Sequence, residues 1–163
     1  IFRAFTNSYF WLKHPYNDIT YRNLGHYSTL QTNLSNYYKS QVVDWLIDKD
    51  NQNKIPEDVI SHIKYGKIYD FAIELSNDTN TFTDCLVEMY VLSILYYVTF
   101  MVIDYNFNVM YVITPTAGIV YDHTKSNSIY TSKTDSSMPI LKFRFHSLAK
   151  SSIPDKIETV YEL

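Results

Sequence analysis

Glycine is scarce in this chain, 3 among 163 residues, and proline hardly commoner at 5. That excludes collagen-like and linker compositions. It also leaves too little glycine for a phosphate-cradling loop, and no Walker, G-x-G-x-x-G or G-x-S-x-G pattern occurs. The one cysteine, Cys85, excludes an internal disulfide and a cysteine-based zinc site. It suits a reducing, cytoplasmic setting. Basic runs and arginine clusters are missing and the net charge is −3, so nucleic-acid binding has no electrostatic footprint. No secretory signal is visible. The uncharged run from Met89 to Ile103, bracketed by Glu88 and Asp104, is shorter than the roughly 20 residues of a spanning helix. No initiator methionine is present either. Ile1 does not suit methionine removal, so the reading is a piece or processed product of something longer, with a neighbour upstream.

Apolar material is plentiful. Hydrophobic residues make up 46% and charged residues 19%, which supports one domain over 1–163 with a real core. Tyrosine at 16 and phenylalanine at 9 are unusually frequent. The plain source of that excess is low-GC coding, as in a virus, endosymbiont or parasite; the rival is a dedicated aromatic surface. No internal repeat stands out.

Helical spacing runs through Phe2, Phe5, Tyr9 and Phe10. The stretch from His14 through Pro15 to Asp18 reads as a loop. Asn33 to Asn36 offers N-caps for a helix over Tyr37–Ile47. Pro56-Glu57-Asp58 starts another, with Val59, Ile60 and Ile63 inward and Gly66 as its stop. A helix over Thr83–Ile94, capped by Thr83 or Asp84, gives way to the β-branched strand Val98–Ile103. Further strands are expected at Val109–Ile113, Gly118–Tyr121, Ile140–Phe145 and Ile157–Tyr161. Thr124 to Met138 is polar and reads as an exposed loop or hairpin. Helices followed by strands give an α+β domain, helices packed on a small mixed, mostly antiparallel sheet. Trp45, Leu46, Val91, Leu95, Phe100, Val102 and Phe143 are expected in its core, with Trp45 between the second helix and the sheet.

The histidines at 14, 26, 62, 123 and 146 form no metal-binding pair at helical spacing, and no metal or cofactor is implied. Cys85 near a helix start has the position of a nucleophile, since the helix dipole lowers a thiol pKa. Leu86 and Val87 follow it, and free cysteine is among the most buried residue types, so a core cysteine is expected.

One set of short motifs keeps a recognisable order. Ile1-Phe2-Arg3-Ala4-Phe5 resembles the residues that follow the catalytic cysteine of ovarian-tumour (OTU) type cysteine proteases, whose signature runs Asp-Gly-x-Cys, then an aliphatic or aromatic residue, Phe or Tyr, and Arg or His. Tyr38 to Ile47 resembles the family's Val-Val-Asp helix. Glu88 to Asp104 resembles its acid-started helix and central strand, and Ile140–Phe145 with Ile157–Tyr161 its last two strands. The resemblance implies an OTU-like, papain-type fold and a ubiquitin or ubiquitin-like partner; the charge and the short apolar run already argue against nucleic acid and membrane as partners.

The departures carry the functional reading. The family's nucleophile would fall just before Ile1. Its histidine, which opens the last strand, reads Lys156 followed by Ile157. A lysine of ordinary pKa, about 10.4, keeps its proton near neutrality and is no substitute for imidazole. The family's Trp-Gly pair is replaced near Thr83-Asp84. No intact cysteine–histidine dyad is legible, and the expectation is a degenerate OTU-like domain serving as an interaction module. Two alternatives stand beside it. One is an active deubiquitinase with its cysteine upstream and His146 as the late histidine. The other is a structural domain of a larger viral or parasite polyprotein.

Overall fold

The computed structural model describes residues 1–13, 24–77, 84–125, 138–146 and 156–159. The expected loop at His14–Asp18 and most of the Thr124–Met138 segment lie outside them. The architecture is α+β, as the sequence implies. Helices α1 (Phe2–Lys13), α2 (Leu24–Ile47), α3 (Lys49–Gln52), α4 (Glu57–Ile60), α5 (Ile68–Ser76) and α6 (Leu86–Tyr96) come first. Strands β1 (Thr99–Ile103), β2 (Val109–Thr114), β3 (Gly118–Asp122), β4 (Ile140–His146) and β5 (Lys156–Thr159) follow. They form one sheet in the order β3-β2-β1-β4-β5. Among the described residues only the β1–β4 pairing is parallel; β1–β2, β2–β3 and β4–β5 are antiparallel.

The strand at the centre, β1, is buried at every position, as its uninterrupted Thr99–Ile103 run requires. Alternation splits the sheet into two faces. Phe100, Val102, Ile113, Leu141 and Phe143 join the helices in the main core, while Met101, Ile103 and Val112 cluster on the other face with Val109 and Tyr121. The most buried helix is α6, in which every residue from Leu86 to Ser93 is buried. Its apolar character on all sides fits that central place.

Helix α2 is longer than expected. Asn33 to Asn36 lie inside it rather than capping its start. The polar side chains are absorbed by bonds to the preceding turn: Ser35 Oγ donates to the Gln31 carbonyl at 2.7 Å, and Thr32 Oγ1 to that of Ser28 at 3.2 Å. They also join α2 to α1. Thr6 Oγ1, fully buried, lies 3.0 Å from Ser35 Oγ, and Gln31 Nε2 bonds Asn7 Oδ1. Of the residues read as caps, Ser35 instead faces α1, next to Gln31 one turn earlier.

Other expectations shift in detail. Pro56 does precede a helix, but α4 ends at Ile60, with Val59 and Ile63 buried. Helix α5 was not foreseen, although Ile68, Phe71, Ala72 and Leu75 keep helical spacing and the last three are buried. The helix read as Thr83–Ile94 begins at Leu86. Leu46, Val91, Phe100, Val102 and Phe143 are buried as expected, whereas Trp45 and Leu95 are only half-buried. Trp45 packs against the main core, and its ring stands at 83° to that of Tyr90 in α6, 6.2 Å between centroids.

Gly118 shows why one of the few glycines sits where it does. Its φ is +72°, and an added Cβ would stand 3.1 Å from Pro56 Cγ and 3.2 Å from Asp58 Oδ1. This close approach lets Asp58 bind both elements, accepting from Val59 N at 2.9 Å and from Ile119 N at 3.2 Å. The start of α4 is thereby fixed to β3.

Candidate functional site

Two places hold the residues that the sequence singles out. The first is the end of the sheet where β4 finishes and β5 begins. Lys156 opens β5, the strand position at which the resemblance puts a histidine. In the antiparallel register its partner is His146, the last residue of β4. The two residues named as candidates for one role are therefore direct cross-strand neighbours, a separation of about 5 Å between Cα atoms. Counted by twos along β4, His146 falls in the row of Arg144, not in that of Phe143, and Lys156 shares that row by register. Helix α1, which begins at Phe2, lies against both β5 and β4.

That neighbourhood follows from packing. Phe5, fully buried, stacks on Tyr9 at 5.1 Å, meets Tyr38 of α2 at 4.9 Å and Tyr96 of α6 at 5.4 Å, and reaches Phe100 of β1 at 6.0 Å. Phe100 in turn lies 5.3 Å from Phe143 of β4. Within Ile1-Phe2-Arg3-Ala4-Phe5, Ala4 and Phe5 are core residues and Arg3 is exposed. Burial, and then neighbouring phenols, push the Tyr38 and Tyr96 hydroxyls above their ordinary pKa. Part of the aromatic excess is thus a helix–sheet core.

The second place surrounds the start of α6. Cys85 sits at the N-cap with φ +61°, half-buried against the core rather than fully buried as expected. The capping acceptor is Asp84, whose Oδ1 lies 3.2 Å from Leu86 N. Its other oxygen is 2.7 Å from His62 Nδ1, with the His62 side chain 21% and the Asp84 side chain 36% exposed. These partners are 22 residues apart, and no sequence pattern announces them. The His62 ring also stands edge-on to Tyr111 at 6.4 Å, and Tyr111 to His123 at 5.1 Å. His123 keeps Nδ1 3.1 Å from the Met110 carbonyl and 4.0 Å from Asp122 Oδ1. Asp122 is buried and accepts from Thr124 N and Oγ1. Burial works to raise its pKa, but those bonds prevail and lower it. Among the described residues no group of three His, Cys, Asp or Glu is placed to hold a metal ion. The pair can tie the chain after α4 to the start of α6 and exchange a proton with solvent.

The Asp84 bond is the main reason the His62 pKa is raised; burial opposes it, and the charges of Asp84 and Asp122 add to the rise. Lys125 acts the other way. A histidine with a raised folded-state pKa stabilises the protein below its unfolded pKa of about 6.5 and loses that contribution as pH rises through the folded value. The expected result is a urea midpoint that falls as pH rises above about 6.5, with the His62-dependent part of the fall absent in Asp84→Asn. An unchanged slope in that variant would show that the pair does not couple to folding.

His14 lies outside the described residues, and His26 falls within α2. Among the described residues no helix is long and apolar enough to cross a membrane.

No protein-family model matches the chain. No solved structure matches it either. The chain is similar to an uncharacterized protein, R327, of Acanthamoeba polyphaga mimivirus, with 47% identity over 162 residues, 99% of this chain. It spans 10% of that viral protein's length.

Proposed function

We propose that the chain is a degenerate OTU-like domain that works as a protein-interaction module, with ubiquitin or a ubiquitin-like protein as its partner. The observation that carries the reading is Lys156 at the first position of β5, beside His146 and on a strand that lies against α1. An OTU-type mechanism needs an imidazole there to take the proton of a thiol at the start of α1. An ammonium group holds its own proton and cannot accept another. This holds whatever residue precedes Ile1. Binding to ubiquitin would then be non-catalytic.

The test is titration of the isotope-labelled chain with ubiquitin. Resonances of α1 and β5 are expected to move while ubiquitin dimers stay uncleaved. Absence of any shift would remove ubiquitin as the partner, and cleavage would remove the degenerate reading. The cross-strand place of His146 supports a second reading, an active deubiquitinase whose thiol lies upstream and whose histidine has moved by one strand. It predicts that His146→Ala abolishes turnover by a chain that carries the cysteine.

A further inference from the structure

The turn between α4 and α5 carries two exposed lysines with no acid set against them. The sequence has no acid between Asp58 and Asp70. Within that interval Lys64, Tyr65, Lys67 and Tyr69 are all exposed, Tyr65 to 83% and Tyr69 to 55%. Among the described residues neither lysine forms an ion pair. The neighbouring acids serve elsewhere. Asp58 accepts from Val59 N and Ile119 N, and Asp84 from His62 and Leu86 N. Asp70 lies in the first turn of α5, where the helix dipole favours it.

The turn is held at both ends. Ile63 before it and Phe71 after it are buried in the main core. Gly66 N donates to the Ile63 carbonyl at 2.9 Å, and Phe71 N to that of Lys67 at 3.0 Å. Between these anchors Tyr65 has φ +59° and Gly66 φ +66°. The left-handed region suits glycine or asparagine, and bulky side chains avoid it. Burial does not explain a tyrosine there, because its ring is in solvent. The Lys64 ammonium stands 5.5 Å from the centroid of that ring, within cation–π range. A ring of no net charge leaves the charge of Lys64 in place. An isolated exposed aromatic needs no explanation, but a strained one between two unpaired cations does.

We infer that Lys64, Tyr65, Lys67 and Tyr69 form a docking surface for an acidic protein segment that carries an apolar side chain among its carboxylates. Charge complementarity selects the partner. Lysine ammoniums donate hydrogen bonds and accept none, so their match is an anion rich in acceptors. The two phenol rings add apolar area at little cost in side-chain entropy, and tyrosine is among the residues that dominate binding hot spots. Single-stranded nucleic acid would also stack on the rings. It needs a basic groove that follows its backbone, and two cations in a chain of pI about 5.9 do not make one. An anionic membrane takes clusters of about 4–8 basic residues. The surface lies on the α4–α5 turn, so it adds to the interaction-module reading without depending on position 156.

The test titrates the isotope-labelled chain with a short peptide of glutamates that has leucine at every fourth position. A peptide with lysine in place of each glutamate and an oligo-dT strand serve as comparisons. The glutamate peptide is expected to move the resonances of Lys64, Tyr65, Lys67 and Tyr69, and to bind more weakly as salt rises from about 0.05 to 0.5 M. Exposed charge pairs are individually weak, so Lys64→Gln combined with Lys67→Gln should lower the affinity by about tenfold in all. The urea midpoint of that double variant should stay level, because both side chains are exposed. Tyr65→Gly relieves the strained φ, so its midpoint should stay level or rise while binding weakens. No movement at these residues, equal binding of the lysine peptide, or unchanged affinity in the double variant overturns the proposal. So does a lowered midpoint for Tyr65→Gly, which would make the ring a folding element. Tighter binding of the oligo-dT strand would overturn it in favour of nucleic acid.

Discussion

Phe5→Ala is expected to lower the free energy of unfolding by about 3–5 kcal/mol, the range for truncating a buried aromatic. The ring is completely buried and touches rings from α1 itself, α2, α6 and β1. Its removal leaves a cavity where three helices meet the sheet, and stacked or edge-on pairs each add about 0.5–1.5 kcal/mol beyond burial. Domains of this kind are stable by only about 5–15 kcal/mol, so the variant should be marginal or partly unfolded. Urea titration of both proteins measures it. Trp45→Ala, at a residue that the sequence alone puts in the core, should cost less, because Trp45 is only half-buried. A loss below about 1 kcal/mol for Phe5→Ala, or a larger one for Trp45→Ala, would mean that the core is centred elsewhere.

The strands were legible because their signals are local. Val109–Ile113 and Gly118–Tyr121 differ from β2 and β3 by one residue at the C-terminal end, and Thr99–Ile103 is bounded by Asp104 just as its composition implies. What escaped depends on partners distant in sequence. Asn33 to Asn36 look like caps until Thr6 of α1 is set beside Ser35. Trp45 looks like core from its size and apolar character, yet it is only half-buried, at the edge of the cluster that it packs against. His62 carries no sign of Asp84, and Arg144 none of the Tyr105 and Phe107 rings beside it. The place of Lys156 came from resemblance alone; periodicity never singles out the first residue of a short strand.

The second large effect concerns catalysis. The chain as it stands is expected to form no adduct with a ubiquitin-based electrophilic probe. Adding Asp-Gly-Asn-Cys before Ile1 supplies a thiol but leaves lysine, not imidazole, at position 156. If position 156 holds the place of the OTU histidine, adding Lys156→His to that extension sets an imidazole beside the thiol, and general-base assistance of this kind is worth about 10²–10⁴ in rate. Labelling should therefore appear in the doubly altered chain and stay slower by about that factor in the chain with the extension alone. Equal labelling of the two would point to His146, and His146→Ala would then abolish it. Labelling of the unaltered chain at Cys85, half-buried at the start of α6, would restore that thiol as the nucleophile.

All of this turns on whether position 156 faces the start of α1 or its end. Spin labels on Ile1→Cys and Lys156→Cys, in a Cys85→Ser background, measure that separation. Helix α1 has 12 residues and so spans about 18 Å. If Lys156 stands at the position of the OTU histidine, the labels lie within about 15 Å of each other, close enough for a preceding thiol to reach an imidazole at 156. A separation of about 25 Å or more would place β5 at the far end of α1 and contradict the alignment on which the functional reading rests.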